Sequence, residues 1–140
     1  MVRASHLHCE GRGFESLSAH SMKKVNEENL WWEAAAHEDP NDPGVLKKVI
    51  VSRDDVDPKS KLMMVNLSKV PIGKTHRAHS HETLEEIFYF TDGQGEVKIE
   101  DEIEQVKPGD RVIVPAKSIH SVKNTGAEEL KYIGIGISLD

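Results

Sequence analysis

Cysteine is almost missing from this 140-residue chain: Cys9 is the only one. A single thiol excludes an internal disulfide framework and fits a reducing, cytoplasmic setting. Basic residues are also in short supply, with 18 Lys and Arg against 24 Asp and Glu, for a formal charge of −6. That balance argues against a nucleic-acid partner, which usually meets a net basic domain or stripe. No apolar run approaches the roughly 18 residues needed to span a membrane. No apolar core of seven or more residues follows the basic start, so a signal peptide is excluded. Repeats of fixed period and linkers between domains are lacking too. What the chain has in quantity is histidine, eight residues in all, four of them between His76 and His120.

Residues 1–21 carry no sustained helical or strand period and are expected to be a disordered or mis-called leader. Gly13-Phe14-Glu15-Ser16 is what the T-arm of a transfer-RNA gene spells in one reading frame, which would make Met22 the true start. Residues 22–44 read as a helical or irregular lead-in. Asn26 is placed to cap a helix, Glu27 and Glu28 suit its first turn, and Leu30, Trp31, Trp32 and Ala34 to Ala36 continue it. Asp39-Pro40 and Asp42-Pro43-Gly44 stop it. Trp31 and Trp32 are expected to cover an outer apolar face or a subunit contact rather than to lid a pocket.

Residues 45–140 read as one domain. After Gly44 the helical period disappears, and short apolar or alternating runs follow: Leu46–Ser52, Leu62–Val70, Thr75–His81, Glu86–Thr91, Glu96–Glu100, Ile103–Val106, Arg111–Val114, Ile119–Lys123 and Leu130–Ser138. Short strands spaced so regularly, with Gly and Pro turns between them, predict an all-β sandwich or barrel. Only about 20 residues lie between Met22 and the first run, too few for a helix-turn-helix domain.

Residues two apart in a strand share a face, so His79 and His81 point the same way, with Thr75 and Arg77 beside them if the strand is regular. Glu86 starts a strand whose Phe88 and Phe90 share its face, and His120 opens a later one. Three imidazoles and one carboxylate converging inside a barrel make a site for one divalent transition metal: Fe, Mn, Ni, Zn or Cu. Four protein ligands leave two positions open on an octahedral ion, where substrate or oxygen binds. Glu82 and Glu85 are the neighbouring carboxylates; Glu85 would face outward.

The spacing is specific. Gly73, five residues, His79, one residue, His81, four residues, Glu86, six residues and Gly93 make the first run. Gly109, five residues, Pro115, four residues, His120, three residues and Asn124 make the second. These runs resemble the two motifs of the cupin superfamily, and the 15 residues between them, 94–108, resemble the spacing of small single-domain members. The resemblance implies a jelly-roll β-barrel in which His79, His81, Glu86 and His120 hold the metal. It makes Gly73, Gly93, Gly109, Pro115 and Asn124 turn formers. The one departure is Lys117, two residues after Pro115, where a Gly is usual.

Around the metal the reading is thinner. Phe88, Phe90, Val112 and Val114 are expected to wall a mainly apolar substrate pocket. Arg77 is the nearest cation and is expected either to hold a carboxylate substrate or to be a solvated strand-end charge. His76 is a candidate acid or base, with a surface position as its alternative. Oxalate decarboxylases often carry Arg three residues before the first ligand His. His76 stands there instead, which argues against oxalate. Gly134 and Gly136 make room for a ligand or a neighbouring backbone. Arg77 and His76 are thus the catalytic candidates, with a small molecule as substrate and a homodimer as the expected assembly. The reading carried forward is a dioxygenase-like metal-dependent oxidoreductase. Its alternatives are a non-redox isomerase, lyase or decarboxylase, and a binding or sensing module without turnover.

Overall fold

The computed structural model describes residues 21–140, so Cys9 and the expected leader, apart from its last residue Ser21, lie outside the described residues. The chain from Glu33 forms ten strands, all paired antiparallel: β1 (Glu33–Ala34), β2 (Leu46–Ser52), β3 (Leu62–Val70), β4 (Thr75–His79), β5 (Leu84–Asp92), β6 (Gly95–Ile99), β7 (Glu102–Val106), β8 (Arg111–Val114), β9 (His120–Asn124) and β10 (Leu130–Ser138). One sheet runs β1-β2-β3-β10-β5-β8 and the other β4-β9-β6-β7. The pairings nest: β6 with β7, β5 with β8, β4 with β9, β3 with β10. The eight strands are thus one long hairpin rolled onto itself, which is the jelly roll expected from the sequence.

The two inner faces meet in a core of Val45, Val70, Phe88, Phe90, Val97, Val106, Val114, Val122, Leu130 and Tyr132. Along β10 the period-2 pattern puts Leu130 and Tyr132 inside, with Gly134 and Gly136 continuing the same face. Gly73, Gly93 and Gly109 adopt φ of 76°, 79° and 97°, as their turn roles require. Lys117 adopts φ 68°, so a side chain occupies the left-handed position where the cupin pattern has Gly.

The lead-in differs from the expected helix. Asn26 caps it as expected, its side chain accepting the Glu28 N–H at 2.9 Å, but the helix is a single 3-10 turn, Glu27–Asn29. Beyond it the chain extends, and Glu33 and Ala34 pair with Lys47 and Leu46 at the edge of the larger sheet. A ten-residue helix is marginal in water, and the free edge of β2 offers backbone partners that outcompete it. Trp31 is 62% exposed, while Trp32 lies under the ammonium groups of Lys69 and Lys48, 4.2 and 5.0 Å from its ring centre.

Candidate metal centre

His79 and His120 lie directly opposite each other in the β4–β9 ladder. His81 follows just beyond β4, and Glu86 reaches in from β5 of the opposite sheet. The four side chains offer ligand atoms that all lie within 4.8 Å of one another. Glu86 Oε2 stands 3.1 Å from His120 Nε2 and 3.3 Å from His81 Nε2. Backbone carbonyls take the remaining imidazole nitrogens: His79 Nδ1 donates to Arg77 O and His120 Nδ1 to Ser118 O, both at 2.9 Å. That fixes each tautomer with Nε2 turned toward the site, as metal-binding imidazoles require. The donor set, three imidazole nitrogens and one carboxylate, fits a divalent transition ion.

The electrostatics agree. Burial alone would raise the Glu86 pKa, but hydrogen bonds from His120 and His81 outweigh it and bring the carboxyl down to about 2. Burial lowers His79 to about 4 against the raising effect of its bond to Arg77 O, so the ring is neutral and its lone pair available at neutral pH. His81 is raised, chiefly by its hydrogen bond to Glu86.

The rest of β4 corrects the expectation from simple alternation. On β9 His120 and Val122 are two apart, yet their partners on β4, His79 and His76, are three apart. This bulge inserts one residue, so His76 and His79 both point inward while Thr75, Arg77 and Ala78 are exposed. Arg77 therefore does not line the cavity. Its guanidinium lies outside, donating to His37 O at 3.2 Å, and no lining residue supplies the expected arginine. His76 is not at the surface. It is 9% exposed, with Nδ1 2.8 Å from the Tyr132 hydroxyl and Nε2 2.8 Å from His37 Nε2. Burial, with His79 and His37 alongside, lowers it to about 3.

A cavity of about 190 Å³ is lined by three of the four ligands, His79, His81 and Glu86. Of the expected pocket residues it takes Phe88 only. Phe90 is sealed in the core farther along β5 than the cavity reaches, while Val114, also in the core, and Val112, packed against it, stand across from Glu86 and Phe88 on β8, the next strand outward. The other walls are Val45, Met64, Ala35, Ala36 and Gly134, with Lys47, Asn66, Ser68 and Tyr132 as polar positions. Gly134 lines the cavity, but a Cβ there would meet Phe88 at 3.8 Å, an ordinary contact, so the space beside it does not require glycine.

His37, Asn66, Ser68 and Tyr132 went unrecognised in the sequence. Asn66 and Ser68 carried a usable signal, since they stand in phase with the buried Val70 on β3, and polar residues on a core face need a reason. His37 carried none, because its place depends on a tertiary anchor. Glu38 Oε1 accepts the Gly44 N–H at 2.7 Å and Oε2 the Arg77 N–H at 3.0 Å, which pins the lead-in against β4.

Comparison with known proteins supports the same architecture. The family model described as "Cupin domain" matches residues 66–136, just over half of the chain. An uncharacterized protein of Methanocaldococcus jannaschii is 38% identical over 64 residues, which cover 46% of this chain and 51% of that protein. The matched segment therefore spans about half the length of that curated relative. Among solved structures, a predicted oxalate decarboxylase from Thermotoga maritima superposes with a TM-score of 0.73 at 24% identity, covering 84% of this chain and 100% of that one. The polyketide cyclase RemF from Streptomyces resistomycificus gives 0.68 at 16% identity, covering 86% and 81%. KdgF from Halomonas sp. gives 0.66 at 21%, covering 86% and 97%. At these identities the structural likenesses show the fold. With the family match and the two-motif site, they lead to one conclusion: this chain belongs to the cupin family.

Proposed function

We propose that the protein is a metal-dependent enzyme of dioxygenase-like type acting on a small organic molecule. The observation that carries this reading is the convergence of His79, His81, Glu86 and His120 beside an internal cavity. A divalent ion held there supplies Lewis acidity and, if it is iron or copper, redox chemistry. The chain's own residues do the rest. Arg77 O and Ser118 O orient His79 and His120. Phe88, Val45 and Met64 give the cavity apolar walls that exclude water and suit an apolar gas or ring. Lys47, Asn66 and Ser68 offer polar groups to a substrate hydroxyl or acid.

A second reading is non-redox catalysis by an isomerase, lyase or decarboxylase. It is favoured by Lys47 on the cavity wall, which suits a substrate carrying negative charge. Oxalate fits poorly, because Arg77 faces outward and His76 stands where an arginine would clamp the dicarboxylate. The family hosts catalysts and binders alike, so the fold does not choose.

The discriminating experiment starts from chelator-stripped protein reloaded with iron(II) or zinc(II). Oxygen uptake is then followed against small acids, phenols and thiols. Uptake with iron and none with zinc supports the first reading. Turnover under anaerobic conditions with zinc supports the second. Metal uptake without turnover of any substrate leaves a binding module.

The acidic charge of −6 speaks for a small molecule rather than nucleic acid as partner. Among the described residues no helix is long and apolar enough to cross a membrane. We propose a cytoplasmic location, which the single cysteine fits, and a homodimer, which the half-covered residues of β2 favour.

A further inference from the structure

We propose that His37, His76 and His79 form a second seat for a divalent transition ion, outside the first and sharing His79 with it. The proposal rests on the reading of the inner site as a metal centre only through that shared ligand. The three residues offer nitrogens that all lie within 4.8 Å of one another. Their rings are gathered, with centres 4.0 Å apart for His37 and His79, 4.8 Å for His76 and His79, and 4.9 Å for His37 and His76. Sequence proximity does not explain this, because His37 belongs to the lead-in and the other two to β4.

The arrangement is held from behind. The Glu38 bridge fixes the lead-in, the Tyr132 hydroxyl meets His76 Nδ1 at 2.8 Å, and Arg77 O takes His79 Nδ1. With those Nδ1 atoms engaged, Nε2 is the ligand atom left on His76 and on His79. His37 Nε2 already faces His76 Nε2 at 2.8 Å. In the absence of an ion the two share a proton. An ion bound at about 2.0–2.1 Å would hold two such nitrogens about 3.0–3.4 Å apart, an opening of about half an ångström. His37, half-buried and on the outer side, can supply that movement. A buried carboxylate stands close as well, with Glu38 Oε2 3.8 Å from His37 Nε2.

Three imidazoles without a directly bound carboxylate select zinc, nickel or copper(II) over hard cations such as magnesium or calcium. A water completes a four-coordinate zinc. One Nε2 cannot serve two ions, so filling both seats leaves the inner ion on His81, Glu86 and His120. The outer ion is therefore bound more weakly, by ligand competition and by repulsion between the cations.

The test is a titration of chelator-stripped protein with zinc chloride, read by calorimetry and by elemental analysis after equilibrium dialysis. The wild type is expected to take two ions per chain, the second at least about tenfold more weakly. His37→Ala should take one, with the first affinity changed less than about threefold. His120→Ala should keep uptake at the outer seat, and the double variant should lose both. Melting curves of each variant check folding, and cobalt(II) serves as a second probe. Its visible absorption should be intense for the four-coordinate outer seat and absent in His37→Ala. The proposal is overturned if His37→Ala still binds two ions. It also falls, alone, if the wild type binds one ion that His120→Ala loses. A wild type that binds none overturns both the outer seat and the inner metal centre.

Discussion

His76 and Lys117 show how single residues are set by their surroundings. His76 is buried among other imidazoles and titrates near pH 3 in the folded, metal-free chain instead of at its ordinary 6.5. The unfolded chain takes up this proton first as the pH falls, so protonation favours unfolding. Stability should drop by about 1.4 kcal/mol per pH unit for this group, between about pH 6.5 and pH 3. His79, lowered to about 4, and His37, lowered chiefly by burial, add losses of the same sign, Glu86 adds another once the pH passes below 4.5, and His81, raised, acts in the opposite direction near neutrality. Urea unfolding of chelated protein across this range should show the decline, with a shallower slope in His76→Gln. A flat profile from pH 7 to 4.5 would contradict the placement of His76. Lys117 supplies a stabilising test: a side chain at φ 68° costs about 1–2 kcal/mol, partly offset by the greater freedom of an unfolded Gly. Lys117→Gly should gain about 0.5–1 kcal/mol, read as a higher melting temperature, while its N–H keeps the bond to His81 O. A loss of stability would mean that the lysine side chain makes an important contact.

At the scale of elements, the lead-in and β4 decide what the cavity contains. Gly44 is where they meet, and a Cβ on it would stand 1.8 Å from Thr75 O. Gly44→Ala should cost about 1–3 kcal/mol by overpacking and should loosen the Glu38 bridge that carries His37. A lower urea midpoint with an unchanged β spectrum checks this; wild-type stability would refute the close approach. The same elements mark the limit of what the sequence disclosed. Strands Leu46–Ser52, Leu62–Val70, Arg111–Val114 and Leu130–Ser138 were legible to the residue, because alternation and turn residues bound them. The β4 bulge was not, since nothing local distinguishes a bulged from a regular strand, and one inserted residue exchanged Arg77 for His76. Nor was the extended lead-in, whose conformation is settled by the edge of β2 rather than by its own helix signals. The four metal ligands survived because their spacing fixes them independently of Arg77.

For the whole molecule, the larger sheet ends in the two-residue β1, and every residue of the neighbouring β2 is only half-covered. Trp31 lies exposed beside them. We expect a second copy to cover this face, as open sheet edges and an exposed Trp favour association. Light scattering on a size-exclusion column should give twice the chain mass at micromolar concentration, and Trp31→Glu should shift it toward the single chain. A monomeric wild type would remove the dimer from the account.

The central claim, that the rolled sheets exist here to gather one carboxylate and three imidazoles around an ion, has a direct measurement. Protein purified without tag or chelator is dialysed against metal-free buffer and its metal content determined, in His37→Ala, which lacks the outer seat, and in the same chain carrying Glu86→Ala and His120→Ala as well. About one transition ion per chain is expected in His37→Ala and less than about a tenth of that in the triple variant, both remaining folded. A triple variant that keeps full occupancy, or a His37→Ala chain that holds no ion even when zinc is supplied, would contradict it.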